Sequence, residues 1–204
     1  MIIIGLTGSI GMGKSTAAGM LRGMGVPVHD SDAAVHLLIG PGGRAVGRIE
    51  AAFPGVTRDG AVDRPALGKR VFGDEAALKR LEAILHPMVS EEKGRFLRCC
   101  AAWRKPMVAC DVPLLFETQG DRQCDATIVV TASPFIQEMR VLRRPGMTRE
   151  RFLRIRAQQM PEAEKCRRGD FVVQTGLGYR HTLMHLRRIV KYLSHRRGTH
   201  WPPR

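Results

Sequence analysis

Aromatic residues, pairable cysteines and long apolar runs are scarce in this sequence. Aromatics make up 5% of the 204 residues, few for the stacking platforms of single-strand nucleic-acid-binding domains. The five cysteines show no CxxC spacing, and adjacent Cys99 and Cys100 suit neither a zinc site nor a disulfide framework. We expect reduced thiols in a cytoplasmic protein. No stretch approaches the ~18 apolar residues of a membrane helix, and residues 1–6 lack the basic, longer pattern of a signal peptide.

Acidic side chains are also rare in the last third of the chain. The formal net charge is +14, and residues 140–204 hold 17 basic but only 4 acidic side chains, whereas residues 1–139 hold 16 and 15. The remaining composition, 44% hydrophobic and 25% charged, is that of a globular protein with a buried core. A concentrated positive charge indicates an anionic ligand, with either a polyphosphate or a nucleic acid as candidate.

Apolar runs alternate with helical patterns along most of the chain. We predict strands at 2–6, 26–30, 107–111, 126–131 and 170–173, and helices at 14–24, 134–144, 149–158, 161–168 and 179–196. The first strand, helix and second strand make a βαβ unit, so we expect a three-layer α/β fold with a five-stranded parallel sheet.

The region 33–104 is predicted to be mostly helical. In it, a helix over 74–85 is expected to end at His86-Pro87, with Pro87 starting the next helix. Only residues 196–204, rich in Pro and Arg, are expected to be disordered.

A glycine-rich loop follows the first strand. Gly8 to Ser15 read GSIGMGKS, which matches G-x-x-x-x-G-K-[ST]. Small residues let backbone N–H groups turn toward phosphate oxygens, and the positive end of the next helix points at them. Lys14 would reach the β- and γ-phosphates and the Ser15 hydroxyl would bind Mg²⁺. The loop therefore predicts a site for a nucleoside triphosphate with Mg²⁺.

Carboxylates close the second and third strands. Asp30 and Asp32 follow the second strand, where a carboxylate can act as a general base or bind Mg²⁺, or can merely cap the next helix. Asp111 ends the third strand and precedes an apolar patch that ends at Glu117. The patch could equally be part of the core, with Glu117 as a helix cap. His86 could be a helix-end histidine beside the C-terminal dipole. The residues alone leave these alternatives open.

Taken together, the motifs resemble the dephospho-CoA kinases from Leu6 to about Gly178. The matching segments, in family order, are the loop at 5–16, Asp30-Ser-Asp32, Leu85-His-Pro87, the DVPLLFE run at 111–117, Gln137-x-x-Arg140-x-x-x-Arg144, and the helix at 154–158. The resemblance implies a P-loop kinase fold whose members transfer the γ-phosphoryl group of ATP to the ribose 3′-hydroxyl of dephospho-CoA.

The resemblance also implies roles for individual residues. Asp32 matches the family's general base, and Lys14 and Arg140 complete the catalytic set. The acceptor would be bound by Asp32, His86, Asp111, Leu115, Phe116 and Glu117. ATP would be bound by Gly8, Ser9, Gly11, Met12, Gly13, Lys14, Ser15, Thr16 and Arg144, with Mg²⁺ on Ser15.

We therefore expect one P-loop kinase domain over residues 1–204, acting as a monomer on ATP and dephospho-CoA. Its core would be about 1–32, 105–135 and 169–195, with a helical acceptor-binding region at about 33–104, a lid at about 140–168 and a basic tail at 196–204. The sequence departs from the family pattern at Ser9, usually Gly, and at Pro145-Gly146 and Gln174-Thr175.

Two other functions would each account for part of the sequence. Another P-loop nucleoside or nucleotide kinase would share the loop, but the His86-Pro87 and 111–117 segments argue against it. An ATP-dependent nucleic-acid-binding protein would explain the positive charge, but the sequence lacks aromatic RNA-binding motifs, zinc spacing and a long basic arm.

Overall fold

The apolar runs form strands, and the segments between them form helices, in a computed structural model that describes residues 1–202. In chain order the strands are β1 (Ile2–Thr7), β2 (Val28–Asp30), β3 (Thr57–Arg58), β4 (Ala61–Val62), β5 (Met107–Asp111), β6 (Ala126–Thr131) and β7 (Phe171–Gln174). The helices are α1 (Lys14–Gly23), α2 (Ser31–Ile39), α3 (Val46–Ala52), α4 (Arg64–Val71), α5 (Glu75–Ala102), α6 (Pro134–Leu142), α7 (Arg149–Ala157), α8 (Glu162–Arg168) and α9 (Tyr179–Ser194).

The main sheet has the strand order β2-β5-β1-β6-β7. Strand β1 pairs in parallel with both β5 and β6, and β6 pairs in parallel with β7. Strands β1, β5 and β6 are buried along their whole length, as expected when helices cover both faces of a parallel sheet. The predicted α/β class and five-stranded sheet are confirmed. Among the described residues no helix is long and apolar enough to cross a membrane.

Side-chain alternation along the strands separates the two faces of the sheet. Ile128 and Val130 belong to a core cluster that also contains residues of α1 and α9. Val129, between them, faces the other way and lies against Gly169, which follows α8. Helices therefore cover both faces, which gives the three layers expected from the sequence.

The chain divides into two compact units. One comprises Met1–His29 and the chain from Cys100 onward, and the other is Asp30–Cys99. The second unit has its own core, formed by residues such as Leu38, Ile49 and Phe53. It also contains an antiparallel hairpin, β3–β4, that the sequence analysis missed.

The hairpin has a recognisable sequence signal. Its turn is Asp59-Gly60, with φ of 50° and 74° at the two residues. Asp-Gly between short strands is a strong indicator of a tight hairpin turn, because both positions need positive φ. The dipeptide is the local sequence signal for β3–β4.

The predicted helix break at His86-Pro87 is wrong. Helix α5 runs without interruption from Glu75 to Ala102, with Pro87 inside it. Proline removes one backbone hydrogen bond and costs roughly 3 kcal/mol. Apolar side chains on both sides of it pack into the core of the second unit, and this burial offsets the cost: Leu81, Ile84, Leu85, Met88 and Val89.

The tail is not disordered as far as it is described. Asp125 Oδ1 accepts hydrogen bonds from the backbone N–H groups of Thr199 and His200, at 2.5 and 3.2 Å, and Oδ2 accepts one from Ile3 N at 2.7 Å. A side chain at Gly198 would lie 2.1 Å from the Met1 carbonyl oxygen. The tail therefore packs against the start of β1. The last two residues of the predicted tail, 203–204, lie outside the described residues.

Asp125 depends on these donors to remain ionised. Burial by itself raises the pKa of its carboxyl group, but backbone hydrogen bonds from Thr199 and Ile3 outweigh burial, so the pKa lies below its ordinary value. A lowered pKa means that this group stabilises the folded state above its unfolded pKa. That stabilisation is lost as the pH falls through the folded-state pKa.

We predict that Asp125→Asn lowers the free energy of unfolding at pH 7 by about 1–2 kcal/mol, because the charged acceptor of several hydrogen bonds is lost. Asp59→Asn, at an exposed turn, should change it by less than about 0.5 kcal/mol. In urea titrations the difference between wild type and Asp125→Asn should shrink below about pH 4. A difference that is constant from pH 7 to pH 3 would contradict this account.

Candidate active site

The loop between β1 and α1 has the backbone of a phosphate-binding site. Gly11 and Gly13 have φ of +80° and +87°, which other residues adopt with strain. A side chain on Gly8 would lie 2.6 Å from both the side chain and the carbonyl oxygen of Val130. Helix α1 begins at Lys14, immediately after the loop. The loop therefore brings its backbone to the positive end of a helix, where anions bind.

Side chains from outside the loop hold it in place. Ser9 Oγ donates to Glu162 Oε2 at 2.7 Å, and Ile10 N donates to Gln159 Oε1 at 3.0 Å. Gln137 Nε2 donates to the Ile10 carbonyl oxygen at 2.8 Å. These three contacts come from α6, α8 and the segment before α8, so elements distant in sequence fix the loop.

The last part of the loop is held in the same way. Thr175 Oγ1 donates to the Met12 carbonyl oxygen at 2.7 Å, and Ala132 N donates to Met12 Sδ at 3.1 Å. Met12 is 3% exposed, so its side chain anchors the loop inside the protein. Its assignment to ATP binding therefore concerns its backbone.

Lys14 forms an ion pair with Asp111 at the end of β5. Their side chains are 15% and 3% exposed. The contact joins the phosphate loop to the neighbouring strand end, as expected where parallel strands end at one edge of a sheet. Ser15 and Thr16 are exposed in the first turn of α1. A hydroxyl, a carboxylate and phosphate oxygens form the all-oxygen set that Mg²⁺ prefers, so Ser15 and Asp111 fit this ion.

The two arginines assigned to the lid lie in different surroundings. Arg140, in α6, is half-buried, and its Nη1 lies 3.4 Å from the Gly11 carbonyl oxygen. It also donates from Nη1 and Nη2 to the side chain and the carbonyl group of Thr175, both at 2.9 Å. Arg144 is exposed just beyond the end of α6. The structure thus brings Arg140, but not the Arg144 side chain, into contact with the phosphate loop.

The segment at 111–117 is joined to helix α8 by a buried ion pair. Lys165, in α8, has no exposed side-chain surface, and its Nζ lies 2.9 Å from Glu117 Oε1. The same ammonium group donates to the Pro113 carbonyl oxygen at 3.2 Å, and Met160 N donates to Glu117 Oε1 at 2.9 Å. Glu117 therefore holds both Met160 and Lys165, which lie on either side of Glu162 in the chain.

These donors keep Glu117 ionised. Burial raises the pKa of its carboxyl group, and the hydrogen bonds from Met160 N and Lys165 lower it by more, so the pKa lies below its ordinary value. Leu115 and Phe116, 1% and 2% exposed, are core residues, with the Arg168 guanidinium 4.7 Å from the centre of the Phe116 ring. Their assignment to acceptor binding therefore concerns the backbone of this segment.

The second unit contains the remaining assigned residues. The Asp30 side chain caps α2, accepting from Ala33 N at 2.9 Å. Asp32 is exposed in the first turn of the same helix. Asp30 is therefore the helix cap, one of the two roles that the sequence left open for these aspartates, and the Asp32 side chain is exposed. His86 is exposed within α5 and is not a helix-end residue.

Several residues that hold the loop were not predicted from the sequence. Gln137, Gln159, Glu162 and Thr175 contact the loop directly, and Lys165 holds α8 through Glu117. Gln137 lies in a segment that resembles the family, and Thr175 lies in one that departs from the family pattern. Neither pattern indicates a contact with the loop. The others are polar residues whose partners lie more than 40 positions away, so no local spacing identifies them.

Comparison with known proteins gives a consistent result. A family model described as dephospho-CoA kinase matches residues 2–178. A dephospho-CoA kinase of Paramagnetospirillum magneticum is 61% identical over 165 residues, covering 81% of this chain and 78% of that protein. A crystal structure of the Thermus thermophilus protein TT1252 is 36% identical, with a TM-score of 0.83 over 94% of this chain and 96% of that one. The dephospho-CoA kinase from Campylobacter jejuni, at 20% identity and a TM-score of 0.62 over 95% and 98% of the two chains, shares the fold.

We predict that Lys165→Met lowers the free energy of unfolding by about 3 kcal/mol, because Glu117 would lose its buried counter-ion. Arg167→Met, on the same helix but exposed, should cost less than about 0.5 kcal/mol. Urea unfolding of the two variants and the wild type measures the difference. Equal stability of the two variants would show that the buried ion pair does not anchor α8.

Proposed function

The chain belongs to the dephospho-CoA kinase family, and from this premise we propose which of its residues transfer the γ-phosphoryl group of ATP to the ribose 3′-hydroxyl of dephospho-CoA. The observation that carries the proposal is the glycine loop before α1, held from outside by side chains and joined through Lys14 to Asp111. Phosphoryl transfer depends mainly on positioning and on stabilising charge, and a rigid, positively charged loop supplies both.

The loop is proposed to bind the ATP phosphates through its backbone and through Lys14. The residues concerned are Gly8, Ser9, Gly11, Met12, Gly13, Lys14, Ser15 and Thr16, with Arg144 as a further cation. Mg²⁺, held by the Ser15 hydroxyl and with Asp111 nearby, would neutralise negative charge on the phosphates. Lys14 would exchange its contact with Asp111 for phosphate oxygens, since an ammonium group is a compact donor that can shift between partners.

Arg140 is proposed to stabilise the charge that develops on the transferred group. Its guanidinium lies at the loop, near the carbonyl of Gly11, and its position is fixed by Thr175. A guanidinium presents several donors in one plane, which suits the equatorial oxygens of a phosphoryl group in transfer. Arginines in this position contribute through the transition state more than through binding of ATP.

Asp32 is proposed as the general base for the 3′-hydroxyl of the acceptor. It follows β2 by two residues and is exposed, whereas Asp30 is engaged as a helix cap. A base at this position would accept the hydroxyl proton as the new O–P bond forms and the bond from the γ-phosphorus to the β,γ-bridging oxygen breaks.

The acceptor is proposed to bind to the helical region at about 33–104 and to the segment that follows β5. His86 is exposed and can donate to an anionic acceptor, while Asp111, Leu115, Phe116 and Glu117 would contribute from the segment that follows β5. Glu117 Oε2 is buried and accepts no hydrogen bond from the described residues. We further propose a cytoplasmic monomer that does not use nucleic acid as its substrate.

We predict that the wild-type protein with ATP and Mg²⁺ phosphorylates dephospho-CoA in preference to adenosine or AMP, and that Asp32→Asn lowers kcat by ~10²–10⁴ with little change in ATP binding. Asp30→Asn is the matched control, because asparagine caps a helix as well as aspartate does. Product identification by mass spectrometry and phosphorus NMR, with calorimetry for ATP, measures these effects.

The Asp32→Asn variant and the comparison of acceptors test two different proposals, and either can be contradicted without the other. Full activity of Asp32→Asn would remove Asp32 from the role of base and leave the overall reaction standing. Phosphorylation of adenosine or AMP in place of dephospho-CoA would overturn the proposed acceptor.

A further inference from the structure

We propose that Thr175 is a positioning residue for phosphoryl transfer, which acts by holding the Arg140 guanidinium against the phosphate loop. The proposal rests on the role of Arg140 proposed above and goes beyond it, since Thr175 is not among the residues proposed to bind ATP. It assigns a role to Thr175, which lies where the sequence departs from the family pattern.

Thr175 binds the guanidinium at two points. Arg140 Nη1 donates to Thr175 Oγ1 and Arg140 Nη2 donates to the Thr175 carbonyl oxygen, each at 2.9 Å. Because a guanidinium is a planar fork, two bonds from different nitrogens fix its plane as well as its position. Thr175 thus sets both the plane and the position of the Arg140 guanidinium.

Thr175 is itself fixed to the phosphate loop. Its hydroxyl lies within donating distance of two carbonyl oxygens, that of Met12 at 2.7 Å, which is the shorter contact, and that of Thr131 at 3.2 Å. Its backbone N–H donates to the Thr131 carbonyl oxygen at 2.8 Å. A hydroxyl has one proton to donate and lone pairs to accept with. Donation to Met12 therefore leaves the oxygen of Thr175 oriented to accept from Arg140.

The three groups meet at the end of the loop. A side chain on Gly13 would lie 3.0 Å from Thr175 Oγ1 and 3.3 Å from Arg140 Nη1. Thr175 is 6% exposed, so its hydrogen bonds are shielded from competing water. Gly13 directly precedes α1, and the guanidinium is thereby held beside the phosphate-binding end of that helix.

The hydroxyl is the part of Thr175 that a substitution can remove alone. Valine has nearly the same shape but neither donates nor accepts, so Thr175→Val should leave Arg140 with the backbone carbonyl as its remaining partner on this residue. The guanidinium could then rotate about that single bond. Serine keeps the hydroxyl and should keep the orientation of Arg140.

We expect Thr175→Val to lower kcat about tenfold, the effect of one lost hydrogen bond to a charged group, with the KM for ATP changed less than about twofold. Thr175→Ser should restore most of the activity. Thr127→Val is the matched control: Thr127 is also buried, and its hydroxyl donates to Asp170 Oδ2 at 2.7 Å, at the opposite end of β6 from Thr131. It should lower the melting temperature without lowering kcat.

A double-mutant cycle separates positioning from a structural role. If Thr175 acts through Arg140, adding Thr175→Val to Arg140→Ala should lower kcat less than about twofold further. An undiminished tenfold further loss would show that Thr175 acts through the loop alone and would overturn the proposal. Should Thr175→Val fail to fold, Thr175→Ala removes the same hydroxyl and is judged in the same cycle.

The cycle also distinguishes the proposal from its premise. Normal kcat in Arg140→Ala would overturn the role of Arg140, and with it the positioning role of Thr175. Reduced kcat in Arg140→Ala together with normal kcat in the Thr175 variant would overturn the role of Thr175 alone.

Discussion

The phosphate loop must keep its backbone N–H groups available to an anion, and this constraint explains much of the surrounding structure. A loop stabilised by its own backbone hydrogen bonds would have few donors left for phosphate. Here a backbone hydrogen bond from Met12 N to the Ser9 carbonyl oxygen lies within the loop, and side chains from other elements hold the loop at Ser9, Ile10 and Met12. The side-chain contacts at Ser9 and Met12 use a hydroxyl and a carbonyl oxygen and so occupy no backbone donor, whereas the Ile10 N–H is occupied by Gln159.

The elements that supply these side chains need support of their own. Helix α8 is short, with seven residues, and helices of this length are marginal without tertiary contacts. The buried pair of Lys165 and Glu117 attaches α8 to the segment that follows β5, and Lys14 attaches the loop to Asp111 at the end of the same strand. One stretch of chain after β5 thus supports both the loop and the segment that braces it.

Sequence reasoning predicted the parts of this arrangement that depend on local patterns. The strand–loop–helix order around Gly8–Ser15, the five-stranded sheet and the strand-end acids follow from periodicity, glycine spacing and strand ends. It failed at Pro87, where burial on both sides of the proline outweighs a local helix-breaking preference. It failed again at the tail, because the acceptor that orders Thr199 is Asp125, 74 positions away. The side chains that hold the loop were not predicted for the same reason, because their contacts join residues far apart in the sequence.

We conclude that contacts with distant side chains hold the phosphate loop in shape before a nucleotide binds. Hydrogen exchange of the Ile10 amide, followed by NMR in the nucleotide-free protein, is the decisive measurement, because this N–H donates to Gln159 Oε1. We expect exchange slowed by a factor of roughly 10² or more relative to an unstructured amide, with that protection lost in Gln159→Ala. Exchange at the unprotected rate until ATP is added would contradict it and would show that the nucleotide, not the protein, orders the loop.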